Sequence, residues 1–278
     1  MVALSHGRAD YSLIRKYYEV KYIISLCYSF VKGMTVKKEK KYVSLDFFLQ
    51  VLTFFARYFI IKLSINILEG ICFMKEYTAK KIVGEMTVED ERWARAEKIA
   101  LTYSWDAYLP ISYATEAAMV HSDAGVTVLL STSEWPIRVT EMENGGRVCV
   151  DSCMEFFFTP NESEQKYINL ELNPAGTLHF NIGEGRGTRE KVAFADKGVR
   201  VRTLISHGEG WKALIFVPYS LIDALYGKHE NVFKANFYKC GDMTEKVHYA
   251  TWNPVLTEKP DYHRPEFFGK VILSEEIL

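Results

Sequence analysis

Proline and tryptophan are missing from the first quarter of the chain. All eight Pro and all five Trp of the 278 residues lie after residue 73, although Phe, Ile, Lys, Leu and Tyr supply 38 of the first 73 positions. A folded domain of that size normally shows turn residues and a readable hydrophobic period. Residues 1–73 are therefore predicted to be an extension that is not part of the native functional protein, with Met74 as a natural start. A mass spectrum of the native protein that begins near residue 1 would contradict this prediction.

Long uncharged hydrophobic runs are also missing, which argues against a membrane anchor. The most apolar stretch, residues 43–74, is interrupted by charged side chains and contains no uncharged run of the roughly 18 residues that a span needs. Arg57 and Lys62 near its centre would cost about 2.5–3.5 kcal/mol each on insertion. No small-residue cleavage site follows the stretch, so a signal peptide fits no better.

Cysteine is scarce, and its five positions form no recognisable framework. The number is odd and no CxxC pair occurs, which argues against a disulfide scaffold. Cys149 and Cys153 have no His at zinc-ligand spacing beside them, so small buried side chains are the expected role. Together with the lack of an export signal, this cysteine usage favours a cytoplasmic location.

Catalytic and nucleic-acid motifs are absent as well. The seven His form no HExxH or HxH pair, and no GxSxG occurs, so neither a catalytic zinc nor a serine nucleophile is indicated. The segment NIGEGRGTR lacks the Lys of a P-loop and is predicted to be a loop whose Arg186 and Arg189 could contact ligand oxygens. Residues 74–278 carry 23 Lys/Arg against 30 Asp/Glu with no basic patch, which argues against a nucleic-acid partner.

Short runs with a period near two dominate the sequence after residue 74. Such runs, separated by Gly, Pro, Asn and Asp, predict an antiparallel β-sandwich or barrel. A short helix capped by Thr87 and a helical turn ended by Gly227 are the predicted exceptions. No repeat or linker divides residues 74–278, so they are predicted to form one domain. The predicted strands lie in GVTVLLSTSEW, RVCVDSCMEFFFTP, KYINLELNPAG, GTLHFNIGEG, KGVRVRTLI, GWKALIFVPYSLI and VFKANFYKCGD.

The run CVDSCMEFFF combines an apolar face with an acidic one. A strand here would place Asp151 and Glu155 on the face opposite Met154, Phe156 and Phe158. Since carboxylates are depleted in strands, they are either hydrogen-bond acceptors for a ligand such as a sugar, or members of a solvated face or an internal salt bridge. Four residues along a strand separate Cα atoms by roughly 13 Å, which is too far for the carboxyl pair of a glycosidase.

Two further features bear on a ligand site. Glu171 on a neighbouring predicted strand could pair with Glu155 in three dimensions. Trp135 and Trp252 each stand close to a Pro at a predicted strand end, where an aromatic ring can stack on the apolar face of a sugar. A place in the core is the commoner role of any single Trp.

Five segments resemble successive motifs of carbohydrate-binding module family 9-like proteins over roughly residues 85–278. The resemblance implies a β-sandwich of jelly-roll type and non-catalytic binding of a sugar between two Trp, with structural calcium in some members. It carries the binding Glu of the family onto Glu155, whereas one clamping Trp falls on Cys149 and the binding Arg falls near Glu171. The segments are DSCMEFFFTP, YINLELNPAG, ANFYKCGD, HYATWNPV and DYHRPEFFG, and WARAEKIAL resembles the early part of the family.

The sequence therefore predicts non-catalytic binding of a small saccharide or oligosaccharide by residues 74–278. A glycoside-active enzyme that uses Glu155 and Glu171 is one alternative, and a structural or interaction domain without sugar binding is another. Calcium is the cofactor that the resemblance allows. The predicted ligand-binding residues are Glu155 and Glu171 as hydroxyl acceptors, Trp135 and Trp252 as stacking faces, and Arg138 and Arg186 as donors.

Overall fold

Strands make up most of the regular structure in the computed structural model, which describes residues 74–278. The predictions made for residues 1–73 lie outside this range. The described residues belong to one compact unit and include a single α-helix, α1, Tyr219–Tyr226. The strands are β1 Glu76–Lys81, β2 Ile99–Ala100, β3 Thr115–Ser122, β4 Gly125–Thr132, β5 Cys153–Thr159, β6 Tyr167–Leu172, β7 Leu178–Gly183, β8 Glu190–Lys191, β9 Arg200–Ser206, β10 Gly210–Pro218, β11 Val232–Cys240, β12 Tyr249–Thr251 and β13 Gly269–Ile277.

These strands join one curled sheet. Its order is β8-β7-β6-β5-β11-β13-β1-β3-β4-β10-β9, with β12 beside β11 and β2 beside β3. β1 runs parallel to β13 and β3, and the other pairings are antiparallel. Phe156 and Phe237 from one half of the sheet share a buried apolar core with Val128 and Ile215 from the other half. The β-sandwich prediction is confirmed, while the jelly-roll type stays a prediction.

Each predicted strand run contains a strand, but one of the two helix predictions is wrong. α1 ends at Gly227, whose φ of 85° suits a residue without a side chain. The helix expected after Thr87 is only a 3-10 turn, Glu91–Ala94, capped by Asp90. Trp93 is buried there and donates its indole N–H to the Thr87 carbonyl, which fixes the chain after one turn. Among residues 74–278, no helix is long and apolar enough to cross a membrane.

The two faces of β5 have different neighbours. Met154, Phe156 and Phe158 point into the main core, as the alternation predicts. Cys153 and Phe157 point the other way, into a smaller buried cluster, and Glu155 shares their side of the strand. This second face of β5 is where the polar groups collect.

Asp151 lies outside the strand that the sequence predicted for it. The chain forms a 3-10 turn over Val148–Val150, and β5 begins at Cys153, so Asp151 is not on the same strand face as Glu155. Its buried carboxylate accepts hydrogen bonds from the backbone and hydroxyl of Thr140, the Glu141 N–H and the Asn173 amide. Burial alone would raise the pKa of Asp151, but these hydrogen bonds outweigh it and lower the pKa. Asp151 is therefore a structural carboxylate.

Candidate functional site

A cleft of about 630 Å³ lies on the face of the sheet that points away from the main core. Its volume falls within the roughly 300–1,000 Å³ of small-ligand sites. Glu155, Glu171 and Cys240 are buried on its floor, whereas Arg186 and Asp242 are exposed at its rim. The cleft therefore combines desolvated acidic groups with charged groups that solvent can reach.

Strand register brings the two acidic residues of the floor together. Glu155 on β5 is directly opposite Glu171 on β6, which in turn is opposite His179 on β7. Residues that face each other across antiparallel strands have Cβ atoms about 4.5–5.5 Å apart. The sequence placed Glu171 on a neighbouring strand, and the register makes it the immediate neighbour of Glu155.

The two carboxyl groups have different partners. Burial raises the pKa of Glu155 well above its ordinary value, and the nearby Glu171 raises it further. Burial also raises the pKa of Glu171, but His179 and Arg189 act against that rise. The Glu171 carboxylate accepts from the Asn169 amide at 2.9 Å and lies 3.4 Å from the Arg189 guanidinium. Protonation is therefore favoured at Glu155, and Glu171 is the better placed of the two to carry the negative charge.

The C-terminal part of the chain forms the opposite wall of the cleft. His263 is buried there, with its Nδ1 2.9 Å from the Tyr167 hydroxyl. Burial, with Arg189 and Arg186 nearby, lowers the pKa of His263 to about 2, so its ring stays neutral. Tyr249 is half-buried in the same wall. His263 thus packs against Tyr167 and also lines the cleft.

Acid should destabilise the fold through its buried histidines. Burial lowers the pKa of His263 to about 2 and of His248 to about 4, from an ordinary value of 6.5. Below pH 6.5 the unfolded chain takes up protons that the native state excludes, so the stability is complete above pH 6.5 and is lost as the pH falls. Each histidine should contribute a slope of about 1 kcal/mol per pH unit.

Urea unfolding at pH 7, 6 and 5 measures this effect. The variant His263→Gln should show a flatter dependence of the free energy of unfolding on pH than the wild type. Equal slopes for the two proteins would show that His263 is not held neutral by the fold.

Trp252 does not provide the stacking face that was predicted for it. It is only 5% exposed and packs against Phe237 in the main core. Its ring also fills the space beside Gly269, where an added Cβ would lie 2.7 Å from the indole. The close approach of the final strand leaves Trp252 no open face, so its role is structural.

Replacing Trp252 with Phe should separate stability from ligand binding. The smaller ring leaves a cavity in the core, and we expect a loss of about 1–3 kcal/mol in the free energy of unfolding. The affinity for a ligand in the cleft should stay within about twofold, since Trp252 does not line it. Urea unfolding and calorimetric titration of the same variant test both parts, and a stable variant with lost binding would contradict the structural role.

Trp135 and Arg138 also lie outside the cleft lining. Trp135 is half-buried and makes an edge contact with His207, with ring centroids 4.6 Å apart. The guanidinium of Arg138 donates to the Val150 carbonyl at 3.1 Å and lies 3.7 Å from Asp151, so it braces the turn before β5. The sequence predicted both residues as part of the ligand site, but neither lines this cleft. Each makes its contacts in another part of the fold.

The structure thus brings together three of the six predicted residues, namely Glu155, Glu171 and Arg186. Arg186 reaches the rim and pairs with Asp261 at 2.9 Å. Sequence reasoning did not assign His179, Asp242, Tyr249 or Tyr262 to the site. The alternation of β7 is the sequence signal that could have indicated His179, because β7 leads directly into the predicted loop. No local sequence pattern marks Asp242, Tyr249 or Tyr262.

Three solved structures that resemble this chain are carbohydrate-binding modules or a candidate carbohydrate-binding protein. A candidate carbohydrate-binding protein from Bacteroides uniformis ATCC 8492 is 25% identical, with a TM-score of 0.62 over 72% of this chain and 99% of that chain. A family 9 carbohydrate-binding module from Caldicellulosiruptor kristjanssonii in complex with cellotriose is 12% identical, with a TM-score of 0.52 over 72% and 93% of the two chains. The same organism's family 9 module in complex with glucose is 13% identical, with a TM-score of 0.53 over 72% and 96%. The last two comparisons show the fold alone.

The fold and the cleft define a β-sandwich domain of the ligand-binding class. Residues 87–273, which make up more than half of the chain, match the sequence profile of carbohydrate-binding family 9. The chain therefore belongs to carbohydrate-binding family 9. Among curated proteins, none matches this chain.

Proposed function

We propose that the cleft binds a small saccharide without catalysing a reaction. The observation that carries this proposal is the pairing of Glu155 with Glu171 on the floor of a cleft, within a domain of carbohydrate-binding family 9. Sugar hydroxyls both donate and accept hydrogen bonds, and this floor offers both kinds of partner. A protonated Glu155 donates and accepts, Glu171 accepts, and the guanidinium of Arg189 donates.

The rim and walls supply the remaining contacts. Arg186 lies at the rim and can donate to a further hydroxyl. Cys149 lines the cleft at the position where the resemblance places a clamping Trp, and no Trp of residues 74–278 lines it. Tyr249 is the half-buried aromatic ring of the wall, so it is the residue best placed to stack on a sugar. A cleft of this kind suits a short ligand held mainly by hydrogen bonds.

Calorimetric titration of the full chain with glucose and cellotriose tests the proposal, since two of the structural relatives hold these sugars. We expect saturable binding with one site per chain. Replacing Tyr249 with Ala should weaken binding about 3- to 10-fold, because one aromatic contact contributes about 0.5–1.5 kcal/mol. The matched variant Tyr249→Phe keeps the ring and should bind like the wild type. Absence of saturable binding to every sugar tried would favour a structural or interaction domain instead.

Glycoside hydrolysis is the second candidate function, and the paired carboxyls favour it. Retaining glycosidases hold an acid and a nucleophile about 5–5.5 Å apart, one protonated and one ionised. The different environments of Glu155 and Glu171 match that division of roles. Incubation with cellotriose should release no new reducing ends if the domain only binds. Hydrolysis that disappears in both Glu155→Gln and Glu171→Gln would establish the enzyme and reject the binding proposal.

A structural calcium ion and a cytoplasmic location are proposals that rest on the sequence alone. Within residues 74–278, the group of potential ligands close enough to share one ion is Cys153, Glu155 and Cys240, and calcium prefers oxygen ligands to thiols. That group therefore does not fit calcium. A rise of the thermal midpoint with calcium, reversed by a chelator, would support a calcium site built from other groups.

A further inference from the structure

Two cysteines and a glutamate converge below the cleft. Cys153 on β5 and Cys240 on β11 are directly opposite each other in the sheet. Glu155 follows Cys153 by two residues, so its side chain leaves β5 on the same face. All three side chains are buried, and one ligand atom from each lies within 4.8 Å of the others.

The spacing of these atoms matches the coordination shell of a zinc ion. With Zn–S distances of about 2.3 Å and Zn–O of about 2.0 Å, a tetrahedral site sets S···O separations of about 3.5 Å. The Glu155 Oε1 lies 3.0 Å from the Cys240 Sγ and 3.9 Å from the Cys153 Sγ. These two distances bracket the tetrahedral value, and the two Sγ atoms lie within 4.8 Å of each other.

The surrounding charges leave room for a cation. Among residues 74–278, the contacts of the Glu155 carboxyl are with the two thiols and not with a cationic side chain. Lys239 lies next to Cys240 in sequence, but its ammonium binds Glu134 and the His248 ring instead. Arg186 and Lys239 act on Glu155 and Cys153 through their charge alone. A divalent cation would be the cationic group in direct contact with the three side chains.

We propose that Cys153, Cys240 and Glu155 form a site for a thiophilic divalent cation, with zinc as the fitting ion. Zinc accepts both thiolate and carboxylate ligands, whereas calcium and magnesium take oxygen ligands and do not favour the two thiolates. Binding releases the two thiol protons and the proton of the carboxyl group when that group is protonated. Glu155 and Cys240 line the cleft, so a bound ion would lie at its floor. The site does not depend on saccharide binding, although a zinc-bound Glu155 is ionised and can then only accept a hydrogen bond from a sugar hydroxyl.

A disulfide between Cys153 and Cys240 is the competing explanation for the same geometry. Cysteines that face each other across antiparallel strands are close enough to oxidise, and all three described cysteines are free thiols here. A disulfide uses no carboxylate, whereas a zinc site does. The role of Glu155 therefore distinguishes the two explanations.

Cobalt titration of the reduced full chain, without any saccharide, tests the site directly. Every protein used carries Cys27→Ser and Cys72→Ser, which removes the other two cysteines of the chain from the readout. We expect one equivalent of Co²⁺ to give thiolate-to-metal absorption in the near ultraviolet, and one equivalent of Zn²⁺ to remove it. Replacing Cys153 or Cys240 with Ser should weaken binding by about 100-fold or more, since loss of an outer-shell partner alone costs 10–100-fold.

The matched control is Cys149→Ser, which changes a half-buried cysteine of the same cleft wall outside the group of three. It should bind cobalt like the parent, and Glu155→Gln should bind at least about 10-fold more weakly. X-ray absorption of the zinc-loaded parent needs no ligand variant and should show two sulfur and two lighter neighbours. No thiolate–cobalt absorption, a signal retained in the Cys153→Ser/Cys240→Ser variant, or zinc without sulfur neighbours would each overturn the proposal.

Discussion

Replacing Arg189 with Ala is expected to remove most of the saccharide affinity of the cleft. The side chain of Arg189 is 15% exposed, and its guanidinium lies 3.4 Å from the Glu171 carboxylate. The substitution removes a preorganised donor and leaves Glu171 buried without its cation, so the pKa of Glu171 should rise further. Hydrogen bonds to charged groups contribute about 1.5–3 kcal/mol, which corresponds to a loss of affinity of about 10- to 100-fold.

Calorimetric titration with cellotriose at pH 7 measures this effect. Arg202→Ala is the matched control, because Arg202 is an exposed arginine of β9 whose guanidinium donates to the Val201 carbonyl. Arg189→Lys keeps the charge but loses the planar fork, and it should bind with intermediate affinity. Equal affinities for Arg189→Ala and Arg202→Ala would place the ligand outside this cleft.

Replacing Lys239 with Met should cause the largest loss of stability of any variant described here. Its side chain is 1% exposed, and its ammonium lies 2.8 Å from the Glu134 carboxylate and donates to the Cys240 carbonyl at 2.7 Å. The His248 ring completes this buried network, with Nε2 2.7 Å from the ammonium. Removing one partner of a buried ion pair leaves the other charge uncompensated, which costs about 3–5 kcal/mol.

A double-mutant cycle tests the cause of that loss. Glu134→Gln added to Lys239→Met removes the unpaired charge and should restore part of the lost stability in urea unfolding. The control Lys81→Met breaks exposed pairs with Asp123 and Glu275, and it should change the midpoint little. If Lys239→Met and Lys81→Met unfold at similar urea concentrations, the buried network does not stabilise the fold as described.

The strands could be predicted from the sequence because their signal is local. Alternating side chains in β5 separate a core face from a polar face, and that pattern, together with the family resemblance, identified Glu155. Glu171 followed from the same pattern in β6. What the pattern does not contain is register, and it is register that places Glu155 opposite Glu171 and Cys153 opposite Cys240. Local spacing also gave no reason to expect a metal site from two cysteines 87 positions apart in the sequence.

The wrong predictions arose because the place of a side chain in the folded protein was inferred from its neighbours in the sequence. The neighbouring Pro254 indicates a strand end near Trp252, but the packing of Trp252 against Gly269 comes from the final strand. The sequence placed Asp151 on a strand. In the structure it follows a tight turn, and its carboxylate accepts hydrogen bonds from Thr140 and Asn173. The alternation of apolar and polar residues along a strand contains no information about such contacts between distant segments.

A crystal structure of the full chain with glucose or cellotriose tests the central claim most directly. The account predicts a sugar ring in the cleft of about 630 Å³, with hydroxyls in hydrogen-bond contact with Glu171 and Arg189 and with the ring against Tyr249. The chain has another hollow of about 440 Å³ beside Trp211 and Glu116, on a different part of the sheet. A sugar bound in that hollow, or no sugar in the cleft at saturating concentration, would contradict the assignment of the site.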